Sequence, residues 1–239
     1  MTAALLVYHR ITTEAGARFH DVTRARFAAQ LDLLARRGAR STGGALLRLA
    51  DGRAVALTFD DATADHADVG DVLADRGWPG LFLVPAGRLG EPGRLTPRQV
   101  ARLAAQGHVI GAHGFSHARF DRMDARTLDG ELVRPRAILE DLTGRRIDWL
   151  APPGGICPRG IETLAATHGY AHVRSLRWDY AAEPLGLMLP ALPVNARTTD
   201  RAFVRLIEGR APLWLDHCKQ GLKALLGETL WHRLRERAR

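Results

Sequence analysis

Asp60 and Asp61 close the run "ALTFDD" at 56–61, where apolar positions give way to two adjacent acids. On an extended chain neighbouring side chains point to opposite faces, so the pair reads either as two turn residues or as two groups with separate jobs. A second polar group lies in "GAHGFSHARF" at 111–120, where His113 and His117 stand four apart. On a helical turn or a tight loop both imidazoles reach one point, as His-x-x-x-His metal sites require. Two histidines and one aspartate make a reasonable zinc shell with positions left for water and substrate. The other aspartate then has different work. One carboxylate on the cation and one beside its water divides a Lewis acid from a general base. Residue chemistry alone leaves open which aspartate does which.

These residues need a frame, and short apolar runs alternating with helical patterns supply one. Strands are expected at 4–9, 54–59, 80–86, 108–113, 147–152 and 171–175, with a seventh at 191–196. Helices are expected at 23–38, 66–77, 96–107, 124–144 and 157–169, with Pro135 breaking or kinking the fourth. Thr96 and Pro97 read as the cap and first position of the third helix, and Gly107 as its stop. Such alternation implies βα units and a mainly parallel sheet, either doubly wound or closed into an irregular barrel. In both, ligands gather beyond the carboxyl ends of the strands. His9, Asp60-Asp61, His113 and the "APPGG" turn at 151–155 all fall at such ends.

Composition narrows the field. The 239 residues are 46% hydrophobic and 25% charged, which suits a globular domain with a sizeable core. The net charge of +8 comes almost wholly from arginine, since Lys219 and Lys223 are the only lysines. No nucleic-acid module is recognisable, and we expect no nucleic-acid partner. Two cysteines, Cys157 and Cys218, make no disulfide framework. The start "MTAALLVYHR" is a poor secretory signal, and no stretch approaches a membrane span. A cytoplasmic protein, or one working at a membrane face, is the expectation. The tail carries a leucine stripe (Leu222, Leu225, Leu226, Leu230, Leu234) and a basic end (Arg233, Arg235, Arg237, Arg239). It reads as a helical extension, 208–239, packed on a catalytic domain of 1–207, with peripheral contact to an anionic membrane as the alternative role.

With these residues assembled, the chain resembles the polysaccharide deacetylase family, also called the NodB homology domain or carbohydrate esterase family 4. The resemblance spans roughly residues 4–207. It rests on "TFDDA" at 58–62 and, in part, on "HGFSH" at 113–117, where Gly114 replaces the usual hydroxyl residue. It implies a distorted (β/α)7 barrel, Asp60 as general base, and Asp61, His113 and His117 as metal ligands. The third motif reads "LAPPGG" at 150–155, with Ala151 where an arginine normally orients the base, so Asp60 must be held differently or less tightly. The Gly154-Gly155 turn is left to offer N–H groups to an oxyanion.

A late histidine normally serves as general acid, and no clean match exists. His217 is one candidate. His9 is the stronger, because in a closed barrel the first strand borders the last. The opening "LVYHRI" also resembles a subset of the family associated with extracellular-polysaccharide and glycosylation pathways. Arg177, Trp178 and Asp179 are expected near a sugar site. The resemblance thus implies zinc-dependent removal of an N-acetyl group from an amino sugar in a glycan, a lipid-linked precursor or a glycosylated metabolite. The alternatives are hydrolysis of a formamide or cyclic imide, and a metal-containing glycan-binding protein that has lost turnover.

Overall fold

Alternating small and large apolar residues make "TAALLVY" and "AVALTF" the central pair of strands. Thr2–Tyr8 (β1) and Ala54–Phe59 (β2) run parallel, paired from Ala3 against Ala54 to Tyr8 against Phe59. The computed structural model describes residues 1–13 and 18–213. The sheet continues in parallel from β2 through Leu81–Val84 (β3), Val109–Ala112 (β4), Trp149–Leu150 (β5) and His172–Arg174 (β6). Two short strands follow, Met188–Leu189 (β7) and Leu192–Pro193 (β8). β7 pairs with β6 and β8 pairs with β1, both in parallel, so one nearly continuous segment joins the two edges of the sheet. The result is the expected (β/α)7 barrel, distorted because its last strand is split.

The parity of each strand separates inside from outside. Ala3, Leu5, Val7, Ala54, Ala56, Leu81, Leu83, Trp149 and Ala151 belong to one apolar cluster that includes no helix residue, which is the barrel interior. Leu6, Tyr8, Val55, Leu57, Phe59 and Phe82 face the other way and pack under the helices. The interior is narrow and takes small side chains. At Gly111 a Cβ would lie 2.6 Å from the Leu83 side chain and 2.8 Å from that of Trp149. Thr58 is the buried polar exception in β2, and its hydroxyl donates to the Leu6 carbonyl at 3.1 Å.

The helices lie close to expectation. They are Arg24–Arg36 (α1), His66–Ala74 (α2), Pro97–Ala105 (α3), Ala125–Thr143 (α4), Ile161–Thr167 (α5) and Asp200–Ile207 (α6). Thr96 and Gln99 form a reciprocal capping box ahead of α3. Three particulars differ from the sequence reading. α4 runs unbroken across Pro135, which is buried and merely denies Glu131 one helical hydrogen bond. α5 begins at Ile161 rather than 157, behind a Gly160 of φ +79°. α6 was not expected, although Thr199 caps it through the Ala202 N–H.

The tail stripe, the basic end and His217 lie outside the described residues. Among the described residues, no helix is long and apolar enough to cross a membrane.

Phe59 joins the two halves of the outer core. Its ring stacks on Phe82 at 4.9 Å and on Tyr8 at 5.5 Å, and meets Phe27 edge-on. Phe59→Ala is expected to cost about 3–5 kcal/mol. Urea denaturation should show a lower midpoint with an unchanged slope, and a wild-type midpoint would contradict this packing.

Candidate metal centre and active site

β2 continues beyond Phe59 into the two acids, and the strand's parity parts them. Asp60 falls on the inner face with Ala54, Ala56 and Thr58, and it is 2% exposed. Its backbone N–H donates to the Tyr8 carbonyl at 2.9 Å, which extends the β1–β2 ladder by one bond. Asp61 then leaves the strand in the left-handed region at φ +76°, followed by Ala62 at φ +49°. Such a conformation costs a non-glycine residue about 1–3 kcal/mol and persists only where the surroundings impose it. The loop after β3 imposes it here. Arg94 donates to the Asp61 carbonyl at 2.6 Å, and the Leu95 N–H donates to the Ala62 carbonyl at 2.8 Å.

The turn brings Asp61 to the two histidines. His117 Nε2 lies 2.7 Å from Asp61 Oδ1, and His113 Nε2 lies 3.4 Å from the same oxygen. One ligating atom from each residue falls within 4.8 Å of the others. His113 directly follows β4 and is buried, and its Nδ1 donates to the Ala151 carbonyl at 2.7 Å. That bond places the hydrogen on Nδ1 and leaves Nε2 as an acceptor facing a carboxylate. Two acceptors facing each other call for a proton or a cation between them. A divalent ion fits this donor set, two imidazoles and one carboxylate. His117 also sits at positive φ, +66°, so two of the three candidate ligands are conformationally strained. Burial opposes ionisation of Asp61, but the hydrogen bonds and charges of His113 and His117 prevail and hold its carboxyl well below the usual range.

Asp60 faces elsewhere. Its Oδ2 accepts from Arg174 Nη2 at 2.5 Å, while Oδ1 is buried without a hydrogen-bond partner among the described residues. Arg174 ends β6 and is fully buried. The absence of an arginine at Ala151 therefore does not leave Asp60 loosely held, because a different strand supplies the guanidinium. Parity was the signal available in the sequence. In "HVR" at 172–174 the middle residue belongs to the outer core, so Arg174 must face inward.

His9 follows β1 at the same rim. Its carbonyl accepts from the buried His66 ring, and its own ring packs on His20 with centroids 4.9 Å apart. Its Nδ1 is buried with no hydrogen-bond partner among the described residues. Burial holds the imidazole below its ordinary value, against the opposing charges of Asp60 and Asp61, which lie close enough to act on it.

The Gly154-Gly155 turn offers less than expected. Gly155 N–H is taken by the Pro152 carbonyl at 2.8 Å, so only Gly154 remains as a donor to an oxyanion. Both glycines line a cavity of about 450 Å³ beyond the ends of β5 to β7, together with Cys157, Ser175 and Arg177. Asp61, His113 and His117 do not line it. Burial pushes the Cys157 thiol up to about 11, which keeps it protonated and unreactive at neutral pH. Trp178 borders a separate cavity beside Phe19 and Asn195.

A family model described as polysaccharide deacetylase matches residues 48–173, from just ahead of β2 into β6. A chitooligosaccharide deacetylase of Rhizobium leguminosarum bv. trifolii is 32% identical over 188 residues, 75% of this chain and 82% of that one. A peptidoglycan-N-acetylglucosamine deacetylase of Bacillus cereus is 31% identical over 103 residues, 42% of this chain and 36% of that one, so this chain spans about a third of its length. Among solved structures, a polysaccharide deacetylase from Bacillus cereus superposes with a TM-score of 0.75 at 19% identity, covering 87% of this chain and 69% of that one. That last likeness speaks for the fold. Taken with the family match and the Rhizobium relative, it shows that the chain belongs to the polysaccharide deacetylase family.

Proposed function

We propose that this protein is a metal-dependent N-deacetylase that hydrolyses the acetamide of an amino sugar. The observation that carries the reading is the division of labour between neighbours: Asp61 faces two histidines, while Asp60 faces a buried arginine and keeps one oxygen free. A binding site alone needs no second carboxylate of that kind. The amino-sugar substrates are supported by the printed activities of the chitooligosaccharide and peptidoglycan deacetylase relatives.

Asp61, His113 and His117 would hold a divalent cation, zinc by the chemistry of their donor atoms, and it would supply Lewis acidity toward the amide carbonyl. Asp60 takes a proton from the attacking water through its free Oδ1. Arg174 fixes the carboxylate through Oδ2 and balances its charge inside the barrel. His9, across the rim, hands a proton to the nitrogen of the leaving amine. A glycan, a lipid-linked precursor and a glycosylated metabolite all present the required group. The basic tail residues Arg233, Arg235, Arg237 and Arg239 support a cytoplasmic enzyme in peripheral contact with an anionic membrane, as a further part of this proposal.

Acetate release from N-acetylated chito-oligosaccharides, run beside metal analysis, tests the assignment. Asp60→Asn should retain metal and lose at least about 100-fold in kcat, the scale of general-base catalysis. His117→Ala should lose metal and activity together, and full occupancy would remove it from the ligand set. His9→Ala should keep metal and lower kcat about 100-fold, and an unchanged kcat would move the acid elsewhere.

Arg174→Met should leave metal affinity unchanged, lower kcat, and destabilise the fold by about 3–5 kcal/mol, the cost of stranding a buried carboxylate. Stability equal to wild type would contradict the pairing. Metal without acetate release from any N-acetylated sugar, formate release from any formamide or ring opening of any cyclic imide tried would indicate a binding protein and sink the enzyme reading.

A further inference from the structure

Glu131 is a buried carboxylate with no part in the chemistry above. It stands on the second turn of α4 at 6% exposure and faces the loop between His113 and His117. Its Oε2 accepts the Phe115 N–H at 2.7 Å and the Ser116 N–H at 3.0 Å, and its Oε1 accepts the Ser116 N–H at 3.2 Å. Successive backbone N–H groups converging on one anion make a small binding concavity, and here a side chain fills it. The opposite edge of the loop is held as well. Ala86 and Gly87 donate to the carbonyls of Gly114 and Phe115 at 3.3 and 2.9 Å, and the Arg134 guanidinium lies 3.5 Å from the centre of the Phe115 ring.

Gly114 makes the arrangement possible. It sits at φ +70°, and a Cβ there would lie 2.8 Å from Glu131 Oε2 and 3.1 Å from the Phe120 ring. The glutamate therefore occupies the space that any side chain at 114 would need. Only three residues later the chain must deliver His117 at φ +66° with Nε2 against Asp61. Among the described residues, the hydrogen bond within the loop that bears on that turn is the one the Ser116 hydroxyl accepts from the Ala118 N–H at 3.2 Å.

We propose that Glu131 is a positioning residue for the metal centre, clamping the 114–117 loop so that His117 is presented with the correct aim, and that Gly114 is its necessary complement. This rests on reading Asp61, His113 and His117 as metal ligands. The test is a zinc titration of metal-stripped protein against a chromophoric chelator, with thermal melting of the metal-free form alongside. Glu131→Ala should weaken zinc binding about 10- to 100-fold, the usual effect of removing a group that orients a ligand. Glu131→Gln should fall between, since an amide oxygen in the place of Oε2 can still accept both N–H groups while the NH2 in the place of Oε1 opposes that of Ser116. Gly114→Ala should weaken binding in the same direction.

Glu140 on the same helix accepts the Ile147 N–H at 3.1 Å, so Glu140→Ala is the control and should leave zinc affinity unchanged. Wild-type affinity in both Glu131 variants would overturn the proposal while leaving the metal site standing. Equal weakening by Glu140→Ala would overturn it too, as a general loosening of α4. If Glu131→Ala fails to fold, Glu131→Gln and Gly114→Ala decide. A wild-type protein that takes up no zinc would bring down the metal reading and this proposal together.

Discussion

A charge inside a closed barrel must be paired where it stands, and the Asp60–Arg174 contact is the point from which the active site is organised. Both residues lie on the inner parity of their strands, at the carboxyl ends, with essentially no access to water. Burying a lone carboxylate there would be costly, whereas the guanidinium pairs with one oxygen and leaves the other without a hydrogen-bond partner among the described residues. The pair also ties β2 to β6 across the barrel mouth, strands separated by more than a hundred residues of chain. Losing either partner strands the other, so the stability of the barrel mouth depends on this contact.

Around that pair the fold concentrates its strain where ligands must converge. Asp61, Ala62 and His117 are the non-glycine residues at positive φ among the described residues, and two of them belong to the Asp-His-His cluster. Each is held by a neighbouring element. Arg94 and Leu95 grip the first turn from the loop after β3, and Glu131 grips the second from α4. The helices thus do more than cover apolar strands. A loop and a helix together hold these two turns in conformations that the local chain would not choose, and the candidate ligand atoms meet as a consequence.

Departures from the family pattern also become intelligible in three dimensions. Ala151 lacks the expected guanidinium, yet its carbonyl still orients His113, and Arg174 replaces the missing charge from the next strand. Gly114 lacks the expected hydroxyl, yet the vacancy admits Glu131, which takes two backbone N–H groups of the loop. In both places a residue from another part of the chain stands where the motif residue is missing. A motif compares positions along the chain, whereas a contact concerns positions in space.

By itself the sequence determined the alternation of strands and helices, the strand-end placement of His9, Asp60, Asp61 and His113, and the likeness that suggested separate jobs for two adjacent acids. These are local properties, because period-2 and period-3.6 patterns, the cap at Thr96 and the glycine stop at Gly107 are written within a few residues. Short-range chemistry could not forecast an unbroken α4 across Pro135, since burial against the sheet outweighs one missing hydrogen bond. Nor could it name Arg174 or Glu131 as partners, although the inward parity of Arg174 was visible. Only the closed barrel decided that Asp60 would meet a guanidinium 114 residues away and Asp61 two imidazoles. Pairing of buried charge is set by which strands become neighbours across the barrel, and that is a property of the whole sheet.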